Sequence, residues 1–75
     1  MMKRPVFTFD TTHHALWSEE LALEAGIAHE VVPAPAAADA RCGIGIEVLA
    51  GDVERFRALL RSAGVEHGVH EGADD

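Results

Sequence analysis

Residues 6–26 have the sequence VFTFDTTHHALWSEELALEAG, in which a strand pattern runs directly into a helix pattern. Residues 6–9 are all β-branched or aromatic and alternate between two faces, which predicts a first strand. Thr11 or Thr12 can accept a backbone N–H at the start of a helix, and Gly26 favours the left-handed conformation that ends one. We therefore expect a strand, a short turn and a complete helix within this stretch.

The buried face of this first helix is predicted to consist of small residues. On a helical wheel the stripe contains Ala15, Ser18, Leu21, Ala22 and Ala25, with His14 at its edge. Such a stripe favours close packing against a sheet. Leu16, Trp17 and Leu23 fall outside it, and a tryptophan exposed beside leucines is typical of an interface with another chain.

The remaining sequence predicts three further strands and a second helix. The predicted elements are strands over 27–32, 43–48 and 65–69, a loop over 33–41, a helix over 53–63 and an acidic tail over 71–75. Pro33 is expected to end the second strand, since proline cannot donate to a strand ladder. Asp52 is expected to cap the second helix and Gly64 to end it.

The order strand, helix, strand, strand, helix, strand predicts an α/β fold of the α+β sandwich type, a ferredoxin-like βαββαβ arrangement. Such a fold has a four-stranded antiparallel sheet with two helices on one face. Its first and third strands pair in opposite directions, so we expect Cys42 to lie next to Asp10, Thr11 and the start of the first helix. The other sheet face is left uncovered, which favours a homodimer through that face.

Length, charge and cysteine content narrow the classes of function. The chain has 75 residues and a mass of 8.0 kDa, which allows one small domain with its core over about residues 5–70. A net charge of -7 argues against nucleic acid and anionic membrane surfaces as partners. No apolar stretch approaches the roughly 20 residues of a transmembrane helix. The single cysteine excludes an internal disulfide. Small secreted domains usually contain several disulfides, so we expect this protein in the reducing cytoplasm.

Cys42 is the residue of this sequence best suited to a chemical reaction. The start of a helix carries a partial positive charge, and a thiol held there ionises more easily than one in water. His13 and His14, in the first turn of the predicted helix, are near enough to pair with a thiolate or relay a proton. A lone cysteine is also commonly a buried structural residue, and that alternative stays open.

The histidines raise the question of a metal site. His13, His14 and Cys42 have the ligand types that zinc or copper takes. However, neighbouring histidines on a helix point in different directions, and no Cys-x-x-Cys spacing is present. A metal chaperone is therefore the weakest hypothesis, and we expect neither metal nor cofactor. His29 is expected on a sheet face, and His67 and His70 on the surface.

Several short motifs, in this order and spacing, resemble the selenium/sulfur (Se/S) carrier protein-like family of small bacterial domains. They are Thr11-Thr12-His13-His14-Ala15-Leu16, Glu24-Ala25-Gly26-Ile27, Val32-Pro33-Ala34-Pro35 and Cys42-Gly43-Ile44. The resemblance extends from about Val6 to about Val65. His14, directly before Ala15 and Leu16, matches the histidine of the family's Thr-His-Ala-Leu pattern.

The resemblance implies a cytoplasmic carrier that holds sulfur or selenium on Cys42 as a persulfide or selenopersulfide. Its partners would be a donor protein and an acceptor protein, and it would act as a carrier more than as an enzyme with turnover. His14 and Thr12 would support the Cys42 thiol. Thr11, His13 and Gly43 would contact the bound chalcogen. The main alternative is a non-catalytic binding or regulatory module that docks through Trp17 or the open sheet face, with Cys42 structural.

Overall fold

The computed structural model describes residues 4–35 and 43–71, with the backbone alone for Glu71. Cys42, most of the predicted loop and nearly all of the predicted tail lie outside the described residues. The elements are β1 (Pro5–Thr8), α1 (Thr12–Ala25), β2 (His29–Pro33), β3 (Ile44–Val48), a 3₁₀ turn (Ala50–Asp52), α2 (Val53–Ala63) and β4 (Gly68–Glu71).

The four strands form one sheet in the order β2-β3-β1-β4, and each neighbouring pair is antiparallel. This order and the two helices confirm the ferredoxin-like α+β fold. In the register of β1 and β3, Val6 lies opposite Glu47 and Thr8 lies opposite Gly45. The end of β1 therefore lies beside the start of β3, as the predicted topology requires.

Both helices contribute to a single core on one face of the sheet. The buried core residues are Phe7, Phe9, Ala15, Ala22, Ile27, Ile46, Val48, Phe56, Leu60 and Val65. The rings of Phe7 and Phe56 meet edge to face, with their centroids 4.6 Å apart. The predicted small-residue stripe of α1 is confirmed, because Ala15, Ser18 and Ala22 are its buried residues.

Glycines end both helices in the left-handed conformation, as predicted. Gly26 and Gly64 have φ angles of 71° and 77°. After each glycine, a backbone N–H bonds back into the last helical turn, at 2.9 Å from Ile27 to Ala22 and from Val65 to Leu60. The start of α2 differs from the prediction, since the 3₁₀ turn leads directly into it and Asp52 makes no side-chain capping hydrogen bond.

The predicted bounds of β2 and β4 are wrong at both ends. β2 begins at His29 and includes Pro33, which pairs with Ile44 at the end of the strand. An edge strand tolerates a proline there because one side of its backbone needs no partner. β4 begins at Gly68 because the preceding residues complete the end of α2, and it continues through Glu71 into the predicted tail.

A glycine in β3 allows β1 to pack closely beside it. A Cβ atom at Gly45 would overlap Cγ1 of Val6 and lie 3.2 Å from the Phe7 carbonyl oxygen. Val6 is buried, with 2% of its surface exposed, and its branched side chain has little room to move. We therefore expect Gly45→Ala to lower the free energy of unfolding by about 1–3 kcal/mol in urea denaturation.

Gly51→Ala is the matched control, because a Cβ atom at Gly51 meets nothing within 4 Å. We expect that variant to stay within about 0.5 kcal/mol of the wild type. Equal stability of the two variants would show that Val6 and the backbone can shift at no cost.

Candidate functional site

The site predicted from the sequence lies where β1 ends and β3 begins, which we call the β1–β3 corner (residues 10–14 and 43–44). Gly43 directly precedes β3, is exposed and has a φ angle of 71°. Its carbonyl oxygen accepts a hydrogen bond from the backbone N–H of Ala34 at 3.0 Å. A Cβ atom at Gly43 would meet nothing within 4 Å, so glycine is needed there for backbone conformation rather than for space.

The first turn of α1 forms the other side of the corner. Thr11 is its N-cap, and Oγ1 of Thr11 accepts a hydrogen bond from the backbone N–H of His14 at 3.1 Å. The Thr11, Thr12 and His13 side chains are exposed. The first N–H groups of a helix lack partners within the helix and attract negative charge. This turn therefore presents a partial positive charge to solvent, together with hydroxyl and imidazole groups.

His13 and His14 have different environments. The rings lie 6.0 Å apart between centroids, and the His13 ring lies 6.4 Å from that of Trp17. His14 is half-buried, and its Nδ1 is buried without a hydrogen-bond partner in the part of the chain that the structure describes. Buried polar atoms are usually paired, so Nδ1 of His14 is the atom of this corner most in need of a hydrogen-bonding ligand.

The structure places five of the six predicted site residues at one end of the sheet. Thr11, Thr12, His13 and His14 share the first turn of α1, and Gly43 lies at the same end of the sheet. Cys42 lies outside the described residues, so its position beside Asp10 and Thr11 stays a prediction.

Neither a metal-binding cluster nor a membrane-spanning helix occurs among the residues that the structure describes. Within residues 4–35 and 43–71, no group of three or more His, Cys, Asp or Glu side chains could hold a metal ion. The predicted set of His13, His14 and Cys42 stays untested, because its thiol is outside that part. No described helix is long and apolar enough to cross a bilayer.

The other histidines are more constrained than the sequence indicates. Nδ1 of His29 donates to the Ile27 carbonyl oxygen at 2.9 Å, and Nε2 lies 3.4 Å from the Glu19 carboxylate. His67 and His70 are half-buried, which corrects the prediction of surface residues. His67 donates to the Val65 carbonyl oxygen at 2.9 Å and packs 5.5 Å from the Phe7 ring, because the turn before β4 folds back onto the core.

A second concave site, which we call the α2–β4 groove, was missed by the sequence analysis. It has a volume of about 750 Å³. Its charged and titratable lining residues are Asp10, Arg57, Arg61, Glu66, His67 and His70. The sequence signal for it is the spacing of the two arginines, one helical turn apart beside the buried stripe of α2.

The comparisons with known proteins concern the chain as a whole. Residues 4–71 match the model of the family described as "Putative Se/S carrier protein-like". The chain belongs to this family. The match spans all of the described residues, and it confirms the family that the motifs indicate. No curated protein and no solved structure matches this Se/S carrier-like chain.

Proposed function

We propose that this Se/S carrier-like domain holds sulfur or selenium on Cys42 as a persulfide or selenopersulfide and passes it to a partner protein. The observation that supports this most directly is the placement of Gly43, the residue after the cysteine, at the same sheet end as the exposed start of α1. The family description supports the same cargo. A reducing cytoplasm would keep the thiol available for this role.

The proposed loading step is a thiol exchange that needs no external oxidant. The Cys42 thiolate attacks the terminal sulfur of a persulfide on the donor protein. A new S–S bond forms at Cys42, the S–S bond of the donor breaks, and the donor cysteine leaves as a thiolate. Delivery repeats the same exchange, with the thiolate of the acceptor attacking the terminal sulfur. The domain therefore acts as a carrier, and each cycle regenerates the thiol.

The residues of the corner suit an anionic cargo. The backbone N–H groups at the start of α1 stabilise a terminal sulfur or selenium anion. In the proposal, His14 provides the unpaired Nδ1 for the chalcogen or for a proton, and Thr12 supports the thiol. Thr11, His13 and Gly43 surround the cargo from the exposed side. The exposure of this turn suits exchange with another protein, which has to bring its own cysteine within reach.

Delivery is tested by loading the protein with radiolabelled sulfur and then removing the donor. Loading uses a cysteine desulfurase with labelled cysteine. The loaded domain is isolated and mixed with an excess of a small thiol such as glutathione. We expect the label to leave the protein under these conditions and to stay with it when no thiol is added. Label that stays bound in the presence of thiol would contradict carriage.

A docking module is the second candidate function, and the exposed apolar side chains of α1 favour it. Leu16, Trp17 and Leu23 expose 56%, 38% and 64% of their surface, and Leu16 and Leu23 lie two turns apart on one face of the helix. Exposed apolar residues of this size are typical of a protein interface. In this candidate the partner binds α1, and Cys42 has no chemical role.

Trp17→Ala tests whether the donor protein docks on α1 when it loads Cys42. If α1 only guides the donor to Cys42, this variant should load more slowly from a desulfurase but load normally from a small-molecule persulfide. An interface tryptophan typically contributes 2 kcal/mol or more, so we expect roughly a 30-fold loss of affinity for the donor. The measurement is the initial rate of loading from the desulfurase and from the small-molecule persulfide. Glu20→Ala, at another exposed position of α1, is the control and should change neither rate much. An unchanged rate in the Trp17 variant would contradict docking of the donor protein through Trp17.

A further inference from the structure

We infer that the α2–β4 groove binds a small molecule through an oxyanion of the phosphate or sulfate type. The groove meets the β1–β3 corner at Asp10, and the inference does not depend on the chemistry of Cys42. The groove volume of about 750 Å³ falls within the range of small-molecule sites in proteins, roughly 300–1,000 Å³.

The arginines of the groove differ from the other described arginines. Arg4 lies 3.4 Å from the Glu47 carboxylate, and Arg55 donates to the Ala25 carbonyl oxygen at 2.6 Å. Within the described part of the chain, Arg57 and Arg61 have neither a hydrogen bond nor an ion pair. The protein as a whole has a net charge of -7 and repels anions. Two unpaired guanidinium groups in one groove form a local positive site that attracts an anion despite this net charge.

Arg57 shows the need for a ligand most directly. Its Nε is buried and has no hydrogen-bond partner in the described part of the chain. Removing an N–H of a charged group from water without giving it an acceptor is costly, and such groups in native proteins call for an explanation. Arg57 also lines the groove, so an oxyanion bound there lies beside its guanidinium group, and a small rotation of the side chain brings the Nε–H to that acceptor.

The arrangement of donors suits the oxygens of a phosphate or sulfate. Arg57 and Arg61 are one turn apart and share a side of α2, and each guanidinium offers a planar fork of N–H groups. His67 donates its Nδ1–H to the Val65 carbonyl oxygen, so its ring is held against the lining of the groove. His70 adds a second imidazole to the lining.

The acidic residues of the groove restrict the kind of anion. Asp10 and Glu66 are exposed and make no ion pair with either arginine of the groove. Their charges would repel an extended acidic peptide that covered the whole groove, whereas a compact oxyanion can sit on the guanidinium groups alone. The groove therefore favours a small anion over an acidic protein segment.

The test is a nitrogen-15 NMR titration of the full chain with inorganic phosphate, then with sulfate, at ionic strength held constant with sodium chloride. We expect saturable shifts at the Arg57 Nε–H and at the backbone of residues 64–70. Arg57→Gln and Arg61→Gln should each weaken binding by about tenfold, since each removes charge-assisted hydrogen bonds. Arg4→Gln removes the same charge outside the groove and should leave the affinity unchanged.

Three results of this titration would contradict anion binding in the groove. Shifts that do not saturate, or that spread over the whole surface, would overturn the inference, as would an equal loss in the Arg4 variant. If a groove variant fails to fold, the map of shifts in the wild type still decides the question. Saturation with phosphate but not sulfate would support a phosphate-bearing ligand, and the reverse would support a sulfur oxyanion.

Discussion

Replacing Cys42 with serine is expected to abolish the uptake of sulfur from a persulfide donor while leaving the fold intact. Serine has nearly the same shape, but its hydroxyl cannot attack a persulfide at neutral pH or hold a sulfur atom. Because Cys42 is the single cysteine of the chain, no other thiol can take over. The measurement is labelled sulfur bound per protein chain after incubation with a desulfurase and cysteine.

The control for the Cys42→Ser prediction is a substitution that removes another polar group without touching the thiol. Ser62→Ala, at an exposed position of α2, should take up as much label as the wild type. Circular dichroism should give the same helix signal for all three proteins. Label bound equally by the serine variant would mean that the sulfur is held elsewhere or non-covalently, and carriage on Cys42 would be wrong.

Phe56→Ala is expected to have the largest effect on stability, a loss of about 3–5 kcal/mol in the free energy of unfolding. Phe56 has no exposed surface, and its ring packs edge to face on Phe7 at the centre of the core. A domain of this size has a total stability of only about 4–11 kcal/mol. The variant should therefore be partly or fully unfolded, which urea denaturation followed by circular dichroism can measure.

Leu23→Ala is the matched control for Phe56→Ala, since it also removes a large apolar side chain from a helix. Leu23 exposes 64% of its surface, so we expect a change within about 0.5 kcal/mol. If Phe56→Ala cost no more than Leu23→Ala, the core would not be centred on α2 and the sheet as described.

The elements with strong local signals could be predicted from the sequence. α1 begins at Thr12 and ends at Ala25, as the threonines and Gly26 indicate, and the pairing of β1 with β3 follows from the order of elements. Such signals are local, because a capping side chain or a left-handed glycine acts within one turn of the helix end. The family match over residues 4–71 includes these stretches.

Strand ends and the groove could not be predicted, because both depend on contacts between distant residues. The start of β4 depends on a hydrogen bond from Val65 to Leu60 that closes α2, and periodicity does not contain this information. Pro33 belongs to β2 only because that strand lies at the sheet edge. The α2–β4 groove combines residues from β1, α2 and β4, so its arginines and histidines have no common sequence motif.

His14 shows how the structure adds to a prediction made from sequence. The sequence places it at the edge of the buried stripe and near the expected thiol. The structure adds that its Nδ1 is buried without a partner in the described part of the chain. It also shows that the His14 backbone N–H donates to the Thr11 hydroxyl and that the His14 carbonyl oxygen accepts from the Ser18 hydroxyl. These bonds fix the backbone from which the His14 side chain extends, and a proton relay from that ring to Cys42 stays part of the proposal.

The most direct test of carriage is the intact mass of the reduced wild-type protein before and after incubation with a cysteine desulfurase and cysteine. The proposal predicts a gain of one sulfur atom that a reductant removes and that prior alkylation of Cys42 prevents. An unchanged mass, with Cys42 open to alkylation and the desulfurase active on its cysteine substrate, would contradict the proposal that this domain accepts sulfur.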